Sequence, residues 1–492
     1  MAYGLGIPRL RLNSPYWQNF IGGILIGLTG GLYAALNLLG AGGGKPNSFE
    51  VVQIANATLC AVYAVSAWFG GTILNTIGPA LTAFFGVIGY ILYVGSLWYF
   101  DQHGKETFPI IAAVCVTLLQ ISAGLIYVTS GYLSMSYSEE NERGKFVAIS
   151  INLQALGAAI GGLIPLIINH NKATSDGVPP AVYIVFIVMD FVGCALAFLL
   201  RPPEKVVRDD GTNIAVVKAR PFWDEFKGNL EAFKDWRMLV MIPAFAVSEC
   251  FLVYGGSANA FRNSLRARSL LGFCSVTLQI ICGWLLTLLL DNEKLRRRTR
   301  AQIGLAITGV PVIGAYIWEM VRTRNYDRNN PPSPPLDWND PDFGAIFVLF
   351  MLNWVSCSLF QYMILYFLGC FTNNPRAAAN NAGVFRGFMA AGEAIDFGVD
   401  SMGVPFLKES GALFAFYTAG VIAMGYLALY HIDETKYFTE DEVTIPKHVQ
   451  EEHDHTIVID GVSKGTSQPD EEATAGATTG KEAIGVAEEV KA

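Results

Sequence analysis

Residues 269–320 read SLLGFCSVTLQIICGWLLTLLLDNEKLRRRTRAQIGLAITGVPVIGAYIWEM, two apolar runs on either side of a short basic turn. Each run is about 20 residues long, and at about 1.5 Å of rise per helical residue it spans the ~30 Å hydrocarbon layer of a membrane. The turn between them, NEKLRRRTR, carries five Lys and Arg residues. This pattern predicts two membrane-spanning helices joined at a membrane surface.

The same alternation of apolar runs and short polar connections extends over most of the 492 residues. The composition agrees, because 52% of the residues are hydrophobic and only 15% are charged, whereas about a quarter are charged in soluble domains. We predict an all-α integral membrane protein with twelve transmembrane helices. They lie at 17–39, 51–71, 80–100, 109–134, 146–168, 181–200, 238–260, 269–290, 301–320, 344–370, 382–403 and 411–431. The seventh, 238–260, is predicted to be interrupted near its end by YGGSANAF.

The long polar connection 201–237 divides the predicted helices into two groups of six. Two six-helix halves joined by a charged connection resemble the major facilitator transporters, whose substrate cavity lies between the halves. The predicted parts are a cytoplasmic N-terminus at 1–16, a first half at 17–200, a central loop at 201–237, a second half at 238–431 and a tail at 432–492. The tail is acidic and poor in apolar residues, so we expect it to be disordered.

Lys and Arg residues indicate the orientation in the membrane, because they are enriched in cytoplasmic connections. Eight lie in 201–237 and five in NEKLRRRTR, and both segments fall on the same predicted side as the two termini. A smaller number, which includes Arg328, falls in the predicted exterior connections. We therefore expect a multi-pass protein of the plasma membrane or an endomembrane with both termini in the cytoplasm.

Motifs for other functions are missing from the sequence. It contains neither a phosphate-binding G-x-x-x-x-G-K-[ST] loop, nor H-E-x-x-H, nor G-x-S-x-G, so we expect no enzyme, no cofactor and no metal site. The eight cysteines lie in or beside apolar runs and suit core packing. Without a basic surface interleaved with aromatic residues, nucleic acid is excluded as a partner, and the expected surroundings are lipid.

The predicted helix 382–403 contains GVFRGFMAAGEAIDFGVDSMG, which carries Arg386, Glu393, Asp396 and Asp400. At 100° per residue the four charges fall within an arc of about 80°. Ionisable residues in a membrane span face the bundle interior or a wet cavity. We expect Arg386 near the inner end of this helix and Asp400 near the outer end.

The excess of acidic over basic side chains in the predicted spans indicates a function for this face. Asp190 and Glu249, in neighbouring predicted helices, raise the number of intramembrane acids to five against the single Arg386. An unpaired buried acid takes up a proton or meets a cation or water. Glu393 and Asp396 are the candidate proton-coupling residues, Arg386 is their counter-charge and Asp400 completes the set. A cationic or amine-bearing substrate would also balance the acids, and the alternative is that the charges pair structurally with neighbouring helices.

Further polar residues lie deep in predicted helices and are candidates to line the same substrate cavity. Together with Asp190 and Glu249, the substrate-cavity candidates are Asn37, Gln120, Tyr127, Asn152, Gln154, Asn353 and Gln361. Separately, Gly23, Gly27 and Gly31 form a stripe in the first helix, and Gly157 and Gly161 form one in the fifth. Such stripes allow close helix packing.

Two connections at equivalent places in the halves, GGTILNTIGP at 70–79 and LLDNEKLRRRTRA at 289–301, resemble the tight Gly/Asp/Arg turn of the major facilitators. In the second, Asp291 is expected to cap or pair with the cluster of Arg296, Arg297 and Arg298. These four residues are candidate conformational gates.

Three stretches narrow the family. GLYAALNLLGAGGG at the end of the first helix, VVRDDGTNIAVV followed by FWDEFKGNLEAFKDWRMLVMIPAF, and LLDNEKLRRRTRA together resemble the Uncoordinated-93-like branch of the major facilitator superfamily in its fungal form. The resemblance implies a multi-pass protein assigned to transmembrane transport. The best-known relatives, however, act as a potassium-channel regulatory subunit and as a trafficking chaperone of membrane receptors.

Two functions follow from these expectations. The first is secondary transport of an unknown small molecule by alternating access, coupled to protons. The second is a non-transporting regulator or escort of another membrane protein, an ion channel or a receptor. A channel itself is less favoured, because no repeated filter motif is present.

Overall fold

The computed structural model describes residues 11–38, 48–103, 120–169, 180–214, 221–440 and 443–453. Helices dominate these residues, and the only strand-like pairings among them are two isolated β-bridges. In chain order the helices are α1 (Pro15–Ile26), α2 (Leu32–Leu38), α3 (Ser48–His103), α4 (Gln120–Ser136), α5 (Arg143–Asn169), α6 (Pro180–Ala197), α7 (Phe222–Glu231), α8 (Trp236–Val240), α9 (Ile242–Val247), α10 (Cys250–Arg262), α11 (Leu265–Leu290), α12 (Arg297–Thr323), α13 (Phe343–Phe371), α14 (Pro375–Ser401) and α15 (Phe406–Tyr430). A π-helical turn, Gly27–Gly31, joins α1 to α2.

Six helical stretches among the described residues are long and apolar enough to cross a membrane. They include the two that flank the basic turn, Leu265–Leu290 and Arg297–Thr323. The all-helical membrane fold is therefore confirmed, while the number of twelve spans stays a prediction. α14 is not among the six, because its charges lower its hydropathy.

The α3 segment holds two predicted helices, 51–71 and 80–100, on either side of a kink. Gly78 adopts φ 80° and ψ 168° immediately before Pro79. Proline disfavours a helical conformation at the preceding residue, and glycine reaches positive φ without steric cost. The GGTILNTIGP turn thus ends one helix and starts the next.

The predicted helix 238–260 is broken, but at a different place from the one expected. YGGSANAF was predicted to interrupt it, whereas these residues lie inside α10. The break falls at Ser248 and Glu249 instead, and Glu249 has φ −120° and ψ −3°. Glycines in a helix cost only about 1 kcal/mol each, so they do not by themselves force a break.

α14 begins at Pro375, earlier than the predicted start at 382. Asn374 caps the helix by accepting hydrogen bonds from the backbone of Arg376 and Ala377, and Pro375 occupies the first helical position. The earlier start moves Arg386 about 16 Å into the helix. The expectation that Arg386 lies near an end of this helix is therefore wrong.

The two predicted halves pack against each other through helix pairs on opposite sides of the bundle. The part of α3 before the kink at Gly78 packs on α14, and α5 packs on α11. Within the first half, the glycine stripes allow close packing as predicted, and they do so against each other, which was not predicted: a Cβ added at Gly157 would lie 1.9 Å from the carbonyl oxygen of Gly27. This contact holds α5 against the π-helical turn.

One end of the bundle carries the 201–214 connection and the 291–296 turn, and we call it the connector end. Residues 432–440, predicted to begin the disordered tail, are folded there. Tyr437 is buried, and Glu440 accepts a hydrogen bond from the backbone N–H of Asn373 at 2.7 Å. Residues 445–453 belong to a separate unit in which 447–453 are helical.

Candidate functional site

The break between α9 and α10 places a carboxylate in the centre of the bundle. Glu249 lies 3.6 Å from the guanidinium of Arg386 on α14 and accepts a hydrogen bond of 2.8 Å from the side-chain amide of Gln361 on α13. The side chains of Arg386 and Glu249 are 3% and 12% exposed. Three helices of the second half therefore converge on one buried ion pair.

Arg386 also contacts the first half. Its guanidinium stacks over the ring of Tyr127 on α4, 4.8 Å from the centroid, and over Phe385 at the same distance. The Tyr127 hydroxyl in turn accepts a hydrogen bond of 3.0 Å from Gln154 on α5. The ion pair is thus connected to the opposite half by a cation–π contact rather than by a second charge.

A small cavity lies beside this ion pair, between the two halves. Its volume is about 20 Å³, enough for one or two water molecules. Its walls are Tyr33, Leu59, Cys60, Tyr63, Tyr90, Ala123 and Tyr127 from the first half and Glu249, Met389 and Glu393 from the second. The charged members of this wall are both acids.

A second cavity of about 40 Å³ lies on the other side of Glu249. Its polar residues are Gln154, Gln279, Ser358 and Gln361. Trp354, also in its wall, donates a hydrogen bond of 3.0 Å to the side-chain oxygen of Gln279. Glu249 thus lies in the wall of both cavities.

Asp400, the last acid of α14, belongs to a second charged cluster, nearer the end of the bundle that lies opposite the connector end. Asp400 is buried and forms an ion pair with Arg328, which also pairs with Glu409 at the start of α15. Asp400 accepts further hydrogen bonds from Ser257 at 2.7 Å and from Gln53 on α3. Gln53 belongs to the first half, so this cluster also bridges the halves.

This cluster corrects the predicted charge balance. The imbalance of five acids against one arginine is wrong, since Arg328, read from the sequence as part of an exterior connection, reaches Asp400 and stacks 3.8 Å over Phe406. Of the five predicted intramembrane acids, Glu393, Asp396 and Asp190 have no paired cation within the described residues. They are 4%, 7% and 1% exposed.

Glu393 and Asp396 lie one turn apart on the buried face of α14. Glu393 accepts a long hydrogen bond from the Cys60 thiol, with 3.9 Å between the sulfur and Oε2. One carboxylate oxygen of Asp396 is buried without a hydrogen-bond partner in the described structure. The clustering of all four charges on the interior face is as predicted, while Ile395 on the other face is exposed.

Several predicted cavity residues lie elsewhere. Asp190 on α6 lines neither cavity, and neither of its carboxylate oxygens has a hydrogen-bond partner among the described residues. Asn353 contacts Cys357 on its own helix at 3.8 Å. Asn152 contacts the Tyr362 hydroxyl across the halves but lines neither cavity. The side chains of Asn37 and Gln120 lie outside the described residues.

At the connector end, the predicted gate residues contact other partners than expected. Asp291 does not pair with the arginines that follow it. Its carboxylate accepts hydrogen bonds from the backbone N–H groups of Gly144 at 2.7 Å and Lys145 at 2.6 Å, in the first turn of α5. A helix N-terminus with unsatisfied N–H groups favours an anion, which explains why Asp291 binds there.

Arg297 is the arginine that bridges the halves. Fully buried, it donates a hydrogen bond of 2.9 Å to Glu140 in the α4–α5 connection. Arg296 and Arg298 are exposed. The arginine cluster is therefore one buried bridge and two surface residues.

Glu140 is the centre of this contact. The same oxygen accepts hydrogen bonds from Asn373 at 2.6 Å and from the backbone N–H of Lys436 at 2.9 Å. Burial alone would raise the pKa of Glu140, but Arg297, Arg143 and these hydrogen bonds hold the pKa below its usual value. For Asp291, burial outweighs the two backbone hydrogen bonds and raises the pKa to about 7.

Sequence reasoning found Tyr127 but missed the other three tyrosines of the cavity wall, Tyr33, Tyr63 and Tyr90. It also missed Cys60, Arg328 and Glu140. Tyrosines within apolar runs read as ordinary core, and Arg328 lies in a polar connection. A signal did exist for Glu140, because SEENERGK at 138–145 places mixed charges directly between two apolar runs. Among the described residues, no group of three His, Cys, Asp or Glu side chains could hold a metal ion.

Known proteins resemble this chain over most of its length. A family model described as "Ion channel regulatory protein UNC-93" matches residues 53–319. An uncharacterized membrane protein of Schizosaccharomyces pombe is 35% identical over 408 residues, 82% of this chain and 82% of its own. UNC93-like protein 1 of Arabidopsis thaliana is 29% identical over 81% of this chain and 86% of its own length.

Solved structures resemble it in fold. A bacterial homologue of the iron transporter ferroportin, in an outward-facing state, aligns with a TM-score of 0.58 at 13% identity and covers 85% of this chain and 99% of its own. FucP, a Major Facilitator Superfamily transporter in the outward conformation, aligns with a TM-score of 0.56 at 11% identity. The alignment covers 84% of this chain and 98% of FucP. The fold is that of the major facilitators.

Proposed function

Because the chain belongs to the UNC-93 family and has the major facilitator fold, we propose that it is a secondary transporter that moves a small molecule across a membrane by alternating access. The observation that carries this proposal is the cavity between the halves, whose wall contains Glu249 and Glu393. Buried ionisable groups in a span are costly, and in transporters they mark the substrate or ion pathway.

Contacts between the halves at both ends support alternating access. Glu140–Arg297 and Asp291–Gly144 join the halves at the connector end, and Asp400–Gln53 joins them at the other. With both sets intact the residues that line the central cavity are buried: Cys60 is 1% exposed, Tyr63 3% and Glu393 4%. Breaking one set while keeping the other would open the cavity to one side only, which is the requirement of the mechanism.

The proton is the proposed coupling ion, with Glu393 and Asp396 as the groups that take it up. Both are buried on the interior face of α14 without a paired cation among the described residues. Arg386 is the counter-charge, held by Glu249. In this proposal the connector end faces the cytoplasm, as the distribution of Lys and Arg indicates, and both termini lie on that side.

The test is proton movement in proteoliposomes. The purified protein would be reconstituted with a pH-sensitive dye inside the vesicles, and a library of small molecules would be added outside. A transported compound should produce a dye signal with the wild type but not with Glu393→Gln or Asp396→Asn. Asp190→Asn is the matched control, since it removes an equally buried carboxylate that lies on α6 rather than on the charged interior face of α14, and its signal should persist.

The second candidate function is that of a non-transporting regulator or escort of another membrane protein. The description of the matching family, an ion channel regulatory protein, favours it. In that case no compound should move protons, and Glu393→Gln should leave the protein's association with its partner intact. Purification from native membranes should then recover one channel or receptor in near-equal amount.

A further inference from the structure

We infer that the central cavity binds a small organic monocation, an amine or a quaternary ammonium compound, between its tyrosine rings and the carboxylate of Glu393. This inference names a substrate class for the proposed transport and rests on it. The binding step, however, can be measured without any transport.

The ionised side chains around the cavity would be balanced if one further positive charge bound there. Its wall carries two carboxylates, Glu249 and Glu393, and no Lys, Arg or His. Arg386 is committed to Glu249, where Gln361 and the ring of Tyr127 fix the pair in place. Glu393 has no Lys, Arg or His within 4.0 Å in the part of the chain that the structure describes.

The walls suit an organic cation rather than an anion. Tyr63 and Tyr127 stack with ring centroids 5.6 Å apart and an angle of 29° between the rings, and Tyr33 and Tyr90 complete an aromatic wall. The face of a tyrosine ring attracts a cation within about 6 Å of its centroid. The guanidinium of Arg386, at 4.8 Å from Tyr127, already uses one such face.

One polar atom of this wall is left without a partner. Tyr63 lines the cavity and is only 3% exposed. Its hydroxyl is buried and makes no hydrogen bond in the described structure. A buried hydroxyl without a partner costs free energy. A ligand that accepts or donates one hydrogen bond beside its charged group would satisfy it.

The size of the cavity limits the ligand. With a volume of about 20 Å³, the cavity holds little more than water. The ligand therefore enters when the halves separate. Met389 and Cys60, both in the wall, are adaptable side chains. The amide groups of Gln154, Gln279 and Gln361 in the neighbouring cavity suit a polar tail beyond the cation.

The experiment measures the thermal unfolding midpoint of the full chain in detergent with four added salts at equal ionic strength. The probes are methylammonium, tetramethylammonium and choline chlorides, with potassium chloride as the fourth. The neutral isostere of choline, 3,3-dimethyl-1-butanol, controls for shape. We expect a saturable rise of the midpoint with at least one organic cation, because a ligand of the folded state stabilises it. Potassium chloride and the isostere should give none.

Variants assign the effect to the cavity. Glu393→Gln keeps the size of the side chain and should abolish the saturable rise, whereas Asp190→Asn should retain it. Tyr63→Leu, which removes a ring, should weaken the apparent affinity for the same cation roughly tenfold, a loss of about 1.4 kcal/mol. If Glu393→Gln fails to fold, Tyr63→Leu still tests the site.

Four results would overturn the inference: no organic cation raises the midpoint, potassium chloride raises it equally, the neutral isostere raises it equally, or Glu393→Gln responds like the wild type. The result also separates this inference from the proposed function. Saturable cation binding without any proton movement in proteoliposomes would reject transport and keep the site. Proton-coupled movement of anions or neutral compounds alone would keep transport and reject the cation site.

Discussion

Replacing Glu140 with alanine should open the connector end of the bundle. In the structure one oxygen of Glu140 accepts hydrogen bonds from Arg297, Asn373 and the backbone of Lys436. The alanine variant leaves the guanidinium of Arg297, whose side chain is 1% exposed, without its carboxylate. The contact joins the two halves, so its loss should act on the closed state in particular.

The magnitude follows from the burial of the pair. Removing one partner of a buried ion pair costs about 3–5 kcal/mol. The side chain of Glu140 is 11% exposed at the end of the bundle, so we take the lower value, about 3 kcal/mol. If the contact exists only when the connector end is closed, the equilibrium shifts toward the open state roughly 100-fold, since 1.4 kcal/mol is tenfold.

Cys60 is a natural reporter of this opening. Its thiol lines the central cavity and the residue is 1% exposed, so reagents in water reach it only when the halves separate. N-ethylmaleimide labelling, with peptide mass spectrometry to distinguish Cys60 from the other cysteines, gives its rate of modification. We expect the rate in Glu140→Ala to rise by one to two orders of magnitude, and in Glu140→Gln to rise less.

Glu142→Ala is the matched control. Glu142 lies in the same connection but pairs at the surface with Lys145, 3.5 Å away, and its side chain is 48% exposed. Its loss should leave the Cys60 rate unchanged within about twofold, because exposed pairs contribute little. A folded Glu140→Ala protein that labels at the wild-type rate would refute the reasoning, and so would an equal increase in Glu142→Ala.

Three further predictions concern stability, each read from unfolding midpoints. The pKa of Glu140 is lowered in the folded protein, so its stabilisation is present above its unfolded pKa and is lost as pH falls through the folded one; the midpoint advantage of wild type over Glu140→Gln should shrink below about pH 4.5. Constant advantage down to acid pH would contradict this. For Asp291 the folded pKa is raised to about 7, so wild type should lose stability as pH rises from about 4 to 7, and Asp291→Asn should lack that slope; parallel profiles would count against it. Gly157→Ala should cost about 1–3 kcal/mol by overpacking against Gly27, while Gly95→Ala, with nothing within 4 Å of its added Cβ, should stabilise by up to about 1 kcal/mol; equal effects would refute the close contact.

Local features of the fold were predictable from the sequence. Apolar runs located the helices, since the cost of exposing backbone to lipid leaves few alternatives to a helix. The turn at Gly78–Pro79 follows from backbone sterics. Close packing at the glycine stripes follows from their spacing, but only the structure shows that the two stripes contact each other. The break at Glu249 was not predictable, because it depends on what the carboxylate contacts rather than on the propensity of its neighbours.

The candidate site was predicted in part. Helical geometry alone placed Arg386, Glu393, Asp396 and Asp400 on one interior face, since the period of a helix fixes which residues share a face. Their partners were not predictable. Arg328, read as part of an exterior connection, pairs with Asp400, and Asp291 binds backbone N–H groups instead of the adjacent arginines.

The amino-acid sequence alone is enough to show that the chain is a helical membrane protein and that one charged helix faces its interior, because lipid tolerates neither open backbone nor exposed charge. Which charges are paired, which acids are left unpaired and which tyrosines line the cavity became clear only from the folded chain. These contacts join residues that are far apart along the chain. Arg386 and Tyr127, or Arg297 and Glu140, are separated by more than a hundred residues, and only the packing of the two halves brings them into contact.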